Sequence, residues 1–101
     1  MKVNVQSVNF NVDKKLVDFV ENKVGGLDKF YPKVIGIDVY LKLQNTSEKE
    51  NKITEIKVNI PGDELIVKKQ CKSFEEGIDI ATDSLRRQLN KRKEKLRSYS
   101  H

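Results

Sequence analysis

Between residues 35 and 43, in the run VIGIDVYLKLQ, every second residue is apolar. Ile35, Ile37, Val39, Leu41 and Leu43 alternate with Asp38, Tyr40, Lys42 and Gln44 beyond the glycine. A period of two marks a strand that buries one face. One strand cannot cover that face alone, so the rest of the chain must supply neighbours and a second layer. Two runs downstream qualify as neighbours. Ile56, Val58 and Ile60 define one strand, and Leu65, Val67 and Cys71 another, with Lys69 interrupting its apolar face. Residues 45–51 (NTSEKEN) hold no apolar side chain and read as an exposed hairpin loop. Pro61-Gly62-Asp63 reads as a tight turn, because proline presets the first corner and glycine accepts a positive φ. At the start of the chain Val3, Val5 and Val8 against Lys2, Asn4 and Gln6 give a half-buried first strand.

Two segments change period. Asp13 is a good N-cap for a helix starting at Lys14. From there Leu16, Phe19, Val20, Val24, Leu27, Phe30 and Tyr31 fall in one stripe at about 100° per residue. Gly25-Gly26 would ordinarily stop a helix, at about 1 kcal/mol per glycine relative to alanine. The stripe keeps its phase across them, so the helix is expected to run on and end near Phe30, before Pro32. A close packing contact at Gly26 would account for the glycines. The second helix opens with a capping box, Ser73 at the N-cap and Glu76 three residues on. Phe74, Ile78, Ala81, Leu85, Leu89 and Leu96 share its apolar face.

The expected order is therefore strand, helix, three strands, helix. Three consecutive strands on short connections make an antiparallel meander, and both helices lie on its apolar face. This is an α+β two-layer domain, β-α-β-β-β-α, with a four-stranded sheet. A chain of 101 residues fits one such domain over residues 1–101. No repeat, linker or second domain is evident.

Charge is distributed unevenly. Between residues 86 and 97, Arg86, Arg87, Lys91, Arg92, Lys93, Lys95 and Arg97 face a single acid, Glu94, whereas the whole chain carries a net +5. The remainder is close to neutral, so the basic end of the last helix is the feature a function must explain. A helix over residues 73–96 is about 36 Å long, and strands of eight residues reach about 26 Å. The last turns should pass the edge of the sheet as a basic extension over about residues 86–97. Solvated helix faces are usually laced with opposite charges four residues apart. Here Arg86, Lys93 and Arg97 form one ridge and Arg87, Lys91 and Lys95 another, while Arg92 occupies a position of the apolar stripe. Two cationic ridges on a rod suit a groove of phosphates, and arginine adds planar bidentate recognition.

Other functions find little support. The one histidine is His101, so no histidine-based acid, base or zinc cluster can be assembled, and no phosphate-cradling glycine motif is present. Cys71, with no histidine partner, reads as a packed core residue. A single cysteine excludes internal disulfides and fits a reducing compartment, with the cytoplasm as default. No apolar run approaches the roughly 20 residues needed to span a bilayer. A membrane-surface helix would need bulky apolar residues opposite the cations, and beyond Leu89 only Leu96 and Tyr99 qualify. Tyr40 reads as a surface strand tyrosine. Asp79 and Asp83 either restrain nearby cations such as Arg86 and Arg87 or are solvated. No enzyme activity, cofactor, metal or small-molecule substrate is expected.

The segment GIDIATDSLRRQLNKRKEKL, with its D-x-L-x-R-Q-L-x-K-x-K-x-K-L pattern, resembles the ribosome hibernation promoting factors, also called ribosome-associated inhibitor proteins. VDKKLVDFVENKVGGLDKFYPKV resembles their first helix and VIGIDVYLKL their long second strand, so the likeness covers almost the whole chain. It implies the same element order, similar to double-stranded RNA-binding domains. It implies a partner, the small ribosomal subunit, whose mRNA and tRNA channel near the decoding centre is occupied to silence translation in stationary phase or stress. It also implies RNA contacts at Arg87, Lys91, Lys93 and Lys95, and at Lys23, which falls inside the first helix's apolar stripe and must snorkel to an edge. The chain looks like the short form, acting as a monomer off the ribosome. The Pro61-Gly62 turn and the next strand depart from the family pattern, leaving Lys68 and Lys69 without a role. The alternative is a general double-stranded RNA-binding module. Such domains gather cations at the start of the last helix, where this chain has Glu75 and Glu76. A small scaffold that dimerises through its sheet would show no nucleic-acid affinity.

Overall fold

The computed structural model describes residues 1–98, with side chains through residue 95. Seven elements follow one another: β1 (Lys2–Val8), α1 (Lys14–Gly25), α2 (Leu27–Phe30), β2 (Gly36–Leu43), β3 (Lys52–Ile60), β4 (Asp63–Cys71) and α3 (Phe74–Ser98). The strands form one sheet in sequence order. β2, β3 and β4 are antiparallel, as the short connections require. β1 runs parallel to β2, with Val3 opposite Ile37 and Val5 opposite Val39. The helical crossover between the two makes that direction attainable.

One face of the sheet is covered. Val20 and Val24 of α1, Leu27 of α2, Ile37, Val39 and Leu41 of β2, Ile56 and Val58 of β3, and Ile78, Leu85 and Leu89 of α3 are all at most 1% exposed. Val3, Val5, Leu16, Phe19 and Phe30 pack at its margin. The fold is the expected α+β two-layer arrangement. Both helix starts are capped as their sequences predict: Leu16 N–H donates to Asp13 Oδ1 at 2.8 Å and Glu76 N–H to Ser73 Oγ at 3.1 Å. Pro61-Gly62 joins β3 to β4 with Gly62 at φ +75°, where glycine bears no steric cost.

Four expectations need correction. Val8 is 40% exposed; it lies three residues from Val5, and an odd spacing sends it to the opposite face. Ile35 precedes β2 rather than belonging to it. Its N–H donates to Asn59 O at 2.7 Å, but its side chain is left 61% exposed at the strand entrance. The first helix reaches Phe30 but divides at Gly26, which stays near helical dihedrals (φ −73°, ψ −13°), so the apolar phase carries over into α2. The glycines there are not packing contacts: a Cβ on Gly25 would meet nothing within 4 Å, and one on Gly26 only Lys23 O at 3.9 Å.

The close approach lies instead at Gly77, in the first turns of α3. A Cβ there would stand 2.6 Å from Thr54 Oγ1 and 3.1 Å from Thr54 Cβ. Thr54 is fully buried on β3's inner face and makes its room where α3 settles onto the sheet.

Candidate nucleic-acid interface

Helix α3 divides into two chemically distinct halves. Its first turn carries Glu75 and Glu76 and its last turns carry the cations. Both placements oppose the helix dipole favourably, acids near the positive N-terminus and bases near the negative C-terminus. The helix stays on the sheet longer than its charge pattern suggests. Leu89 is fully buried, and Arg92, half-buried in the stripe, donates from Nη1 to Asp63 Oδ2 at 2.9 Å. Asp63 stands at the start of β4, so the helix clears the sheet after Arg92 rather than at Arg86. The molecule is elongated, 54 Å long against 24 and 19 Å across.

The candidate contacts fall into two groups. Three are held by carboxylates. Lys23 of α1 snorkels to the surface as expected, but its Nζ lies 3.1 Å from Asp79 of α3 and 5.6 Å from the centre of the Phe19 ring. Arg87 is paired with Asp83 at 2.9 Å, one turn back on the same helix. Arg92 is tied to Asp63. The Asp63 carboxyl is held below the usual carboxylate range, first by the Glu64 N–H it accepts at 2.8 Å and then by Arg92.

Arg86, Lys91 and Lys93, by contrast, have no carboxylate partner among the described residues. Arg86 and Lys91 are exposed and Lys93 half-buried. Lys95 is exposed. The side chain of Arg97 lies outside the described residues, as do that of Leu96 and all of Tyr99 and His101. Arg86 and Lys93, seven residues apart, share the flank of α3 that carries Asp79 toward Lys23 of α1, while Lys91 lies about 140–160° round the helix from them. Positive charge without local compensation is therefore presented on more than one side of the rod.

Asp83 restrains Arg87, one of the two arrangements the sequence allowed, but Asp79 reaches a different cation and other participants escaped the sequence. Asp63 and Asp79 pair with residues 29 and 56 positions away, a relation that spacing along one helix cannot disclose. Phe30 lines a cleft with Arg86, Arg87 and Asn90, although the periodicity of the first helix assigns it to the core. Its position near the end of the stripe, two residues before Pro32, was the available signal. Elsewhere, Cys71 is buried and burial pushes its thiol up, which suits a packing residue. Among the described residues no cluster of metal-ligating side chains forms and no helix is long and apolar enough to cross a membrane.

A family model described as Sigma 54 modulation protein / S30EA ribosomal protein matches residues 3–97. The chain belongs to this family. Its relatives include a ribosome hibernation promotion factor from Bacillus subtilis, 32% identical over 98 residues, covering 95% of this chain and 50% of the relative. The chain thus spans about half the length of that protein. A ribosome hibernation promoting factor from Pseudomonas putida is 30% identical over 98 residues, covering 97% of this chain and 92% of the relative. Among solved structures, the N-terminal domain of Protein Y from Thermus thermophilus superposes with a TM-score of 0.72 at 27% identity, over 89% of this chain and 93% of that one. A ribosomal subunit interface protein from Coxiella burnetii has the same fold, with a TM-score of 0.80 at 18% identity, over 92% of this chain and 98% of that one.

Proposed function

We propose that this protein is a ribosome-binding hibernation factor of the cytoplasm, acting as a non-enzymatic plug. In this reading it binds the small subunit, as a monomer off the ribosome, and occupies the mRNA and tRNA channel near the decoding centre. The cations of α3 neutralise ribosomal RNA phosphates while the two-layer domain supplies the bulk that excludes other ligands. The family match over residues 3–97 carries the proposal. The relatives named for ribosome hibernation and the uncompensated cations Arg86, Lys91 and Lys93 support it. The general duplex-RNA alternative is not favoured, because exposed Glu75 and Glu76 open the last helix where that mode needs positive charge.

The test is sedimentation with purified ribosomes. Changing Lys91, Lys93 and Lys95 together to glutamate should abolish co-sedimentation with the small subunit while leaving the circular-dichroism melt near that of the parent. A triple variant that still pellets with the subunit would sink the plug. Occupancy of the channel is checked separately by whether the parent protein blocks initiator tRNA binding.

A further inference from the structure

Phe30 ends α2 against the flank of α3. Its ring is only partly covered, and with Arg86, Arg87 and Asn90 it lines a shallow, largely open cleft of about 270 Å³. That is below the size of pockets that enclose drug-sized ligands and suits one planar group. The polar groups around it are fixed to different degrees. The Arg87 guanidinium is anchored by Asp83 at 2.9 Å. Arg86 has no carboxylate partner among the described residues. Asn90 gives its Nδ2 to Glu94 at 3.4 Å, which leaves its amide oxygen as an acceptor. An aromatic wall flanked by two guanidiniums joins the two elements used to hold unpaired nucleotides. Every base has a face to stack, and arginine meets phosphate through a planar fork. Another cleft of similar size, at the start of α1, pairs Phe19 and Lys15 with two carboxylates, Asp13 and Glu75, so its lining is net negative and suits a phosphate less well.

We infer that this cleft takes one unstacked nucleotide of single-stranded RNA, its base against Phe30 and its phosphate on Arg86 and Arg87. The inference rests on the RNA-binding reading above and gives it a base-contacting site beside the phosphate-facing helix.

The experiment compares an eight-residue oligouridylate, the same oligomer with abasic sugars, uridine monophosphate and an octaglutamate peptide, by fluorescence anisotropy or calorimetry at one salt concentration. Phe30→Leu keeps the apolar volume but removes the ring; it should weaken the oligouridylate about tenfold, the effect of losing one stacked base, and leave the abasic oligomer within about twofold. Phe30→Tyr should bind like the parent, and Arg86→Gln should weaken both oligomers. If Phe30→Leu does not fold, the preference of the folded parent for the oligouridylate over its abasic form decides, and equal affinities overturn the inference. Equal loss for both oligomers, or no loss, makes Phe30 a packing residue and overturns it. Tighter binding of uridine monophosphate than of the oligouridylate assigns the cleft to a free nucleotide, and an octaglutamate affinity that falls equally with Phe30→Leu assigns it to an acidic peptide; either overturns it. Co-sedimentation separates the two levels. A parent that pellets with ribosomes but shows no base-dependent affinity loses the cleft alone, whereas a parent that does not pellet loses the ribosome reading.

Discussion

Gly77 is where α3 comes nearest the sheet, and Thr54 sets the limit. Gly77→Ala would drive a methyl to 2.6 Å from Thr54 Oγ1, and overpacking of this kind costs about 1–3 kcal/mol. Thr54 Oγ1 finds no hydrogen-bond partner among the described residues, so Thr54→Ala should recover part of that loss when the two changes are combined. Urea unfolding of the two single variants and the double variant measures both effects. Nothing in the sequence pointed to Gly77, which sits inside an unbroken helical pattern, whereas Gly25-Gly26 drew the eye and faces open space. Side chains on regular faces, such as Val39, Val58 and Leu85, were legible because periodicity alone decides their burial. Ion pairs between distant elements were not. At Asp63 the distant pair adds to a local contact: the Glu64 N–H first and Arg92 second hold the carboxyl below the usual range, so its contribution is complete above that range and is lost as pH falls through the depressed value. The stability advantage of the parent over Asp63→Asn should hold from neutral pH to about pH 5 and shrink below about pH 4. A pH series of urea midpoints follows it.

At the scale of elements, β2 and α3 were readable from opposite kinds of evidence. β2 announces itself by alternation, α3 by a capping box, a stripe and a charge gradient. What the pattern could not fix was where α3 leaves the sheet. Arg92 reads as a cation in an apolar position, and its purpose emerges only once Asp63 is placed opposite it. The candidate contacts Lys23, Arg87 and Arg92 accordingly start out paired, and binding phosphate through them means exchanging one anion for another. The unpaired cations should dominate the salt response. If about five phosphates are neutralised, affinity for RNA should fall roughly a hundred- to five-hundredfold between 50 and 200 mM salt. A titration series across that range measures the slope, and Lys91→Gln should lower it by about one contact's worth. Exposed pairs such as Lys14–Asp18, with side chains 91% and 55% exposed, should change neither the slope nor the stability appreciably.

The whole molecule is longer than its chain length requires. Its Cα radius of gyration is 14.5 Å, against about 13 Å for a compact domain of this size. The two-layer order was legible because strands and helices follow one another with short connections. The place of β1 was not, since a period of two reveals which face is buried but not which strand lies alongside. That place has a kinetic meaning. β2, β3 and β4 meet their neighbours across short loops, so their pairing closes little chain. β1 meets only β2, and only after α1 and α2 have crossed over. Its pairing therefore closes more chain than any other in the sheet, Val3 lying opposite Ile37. It should join late and leave early, and hydrogen exchange should show the amides of β1 opening before those shared by β3 and β4. A strand that joins late leaves a stage in which the meander is paired while the β2 edge of the sheet remains open.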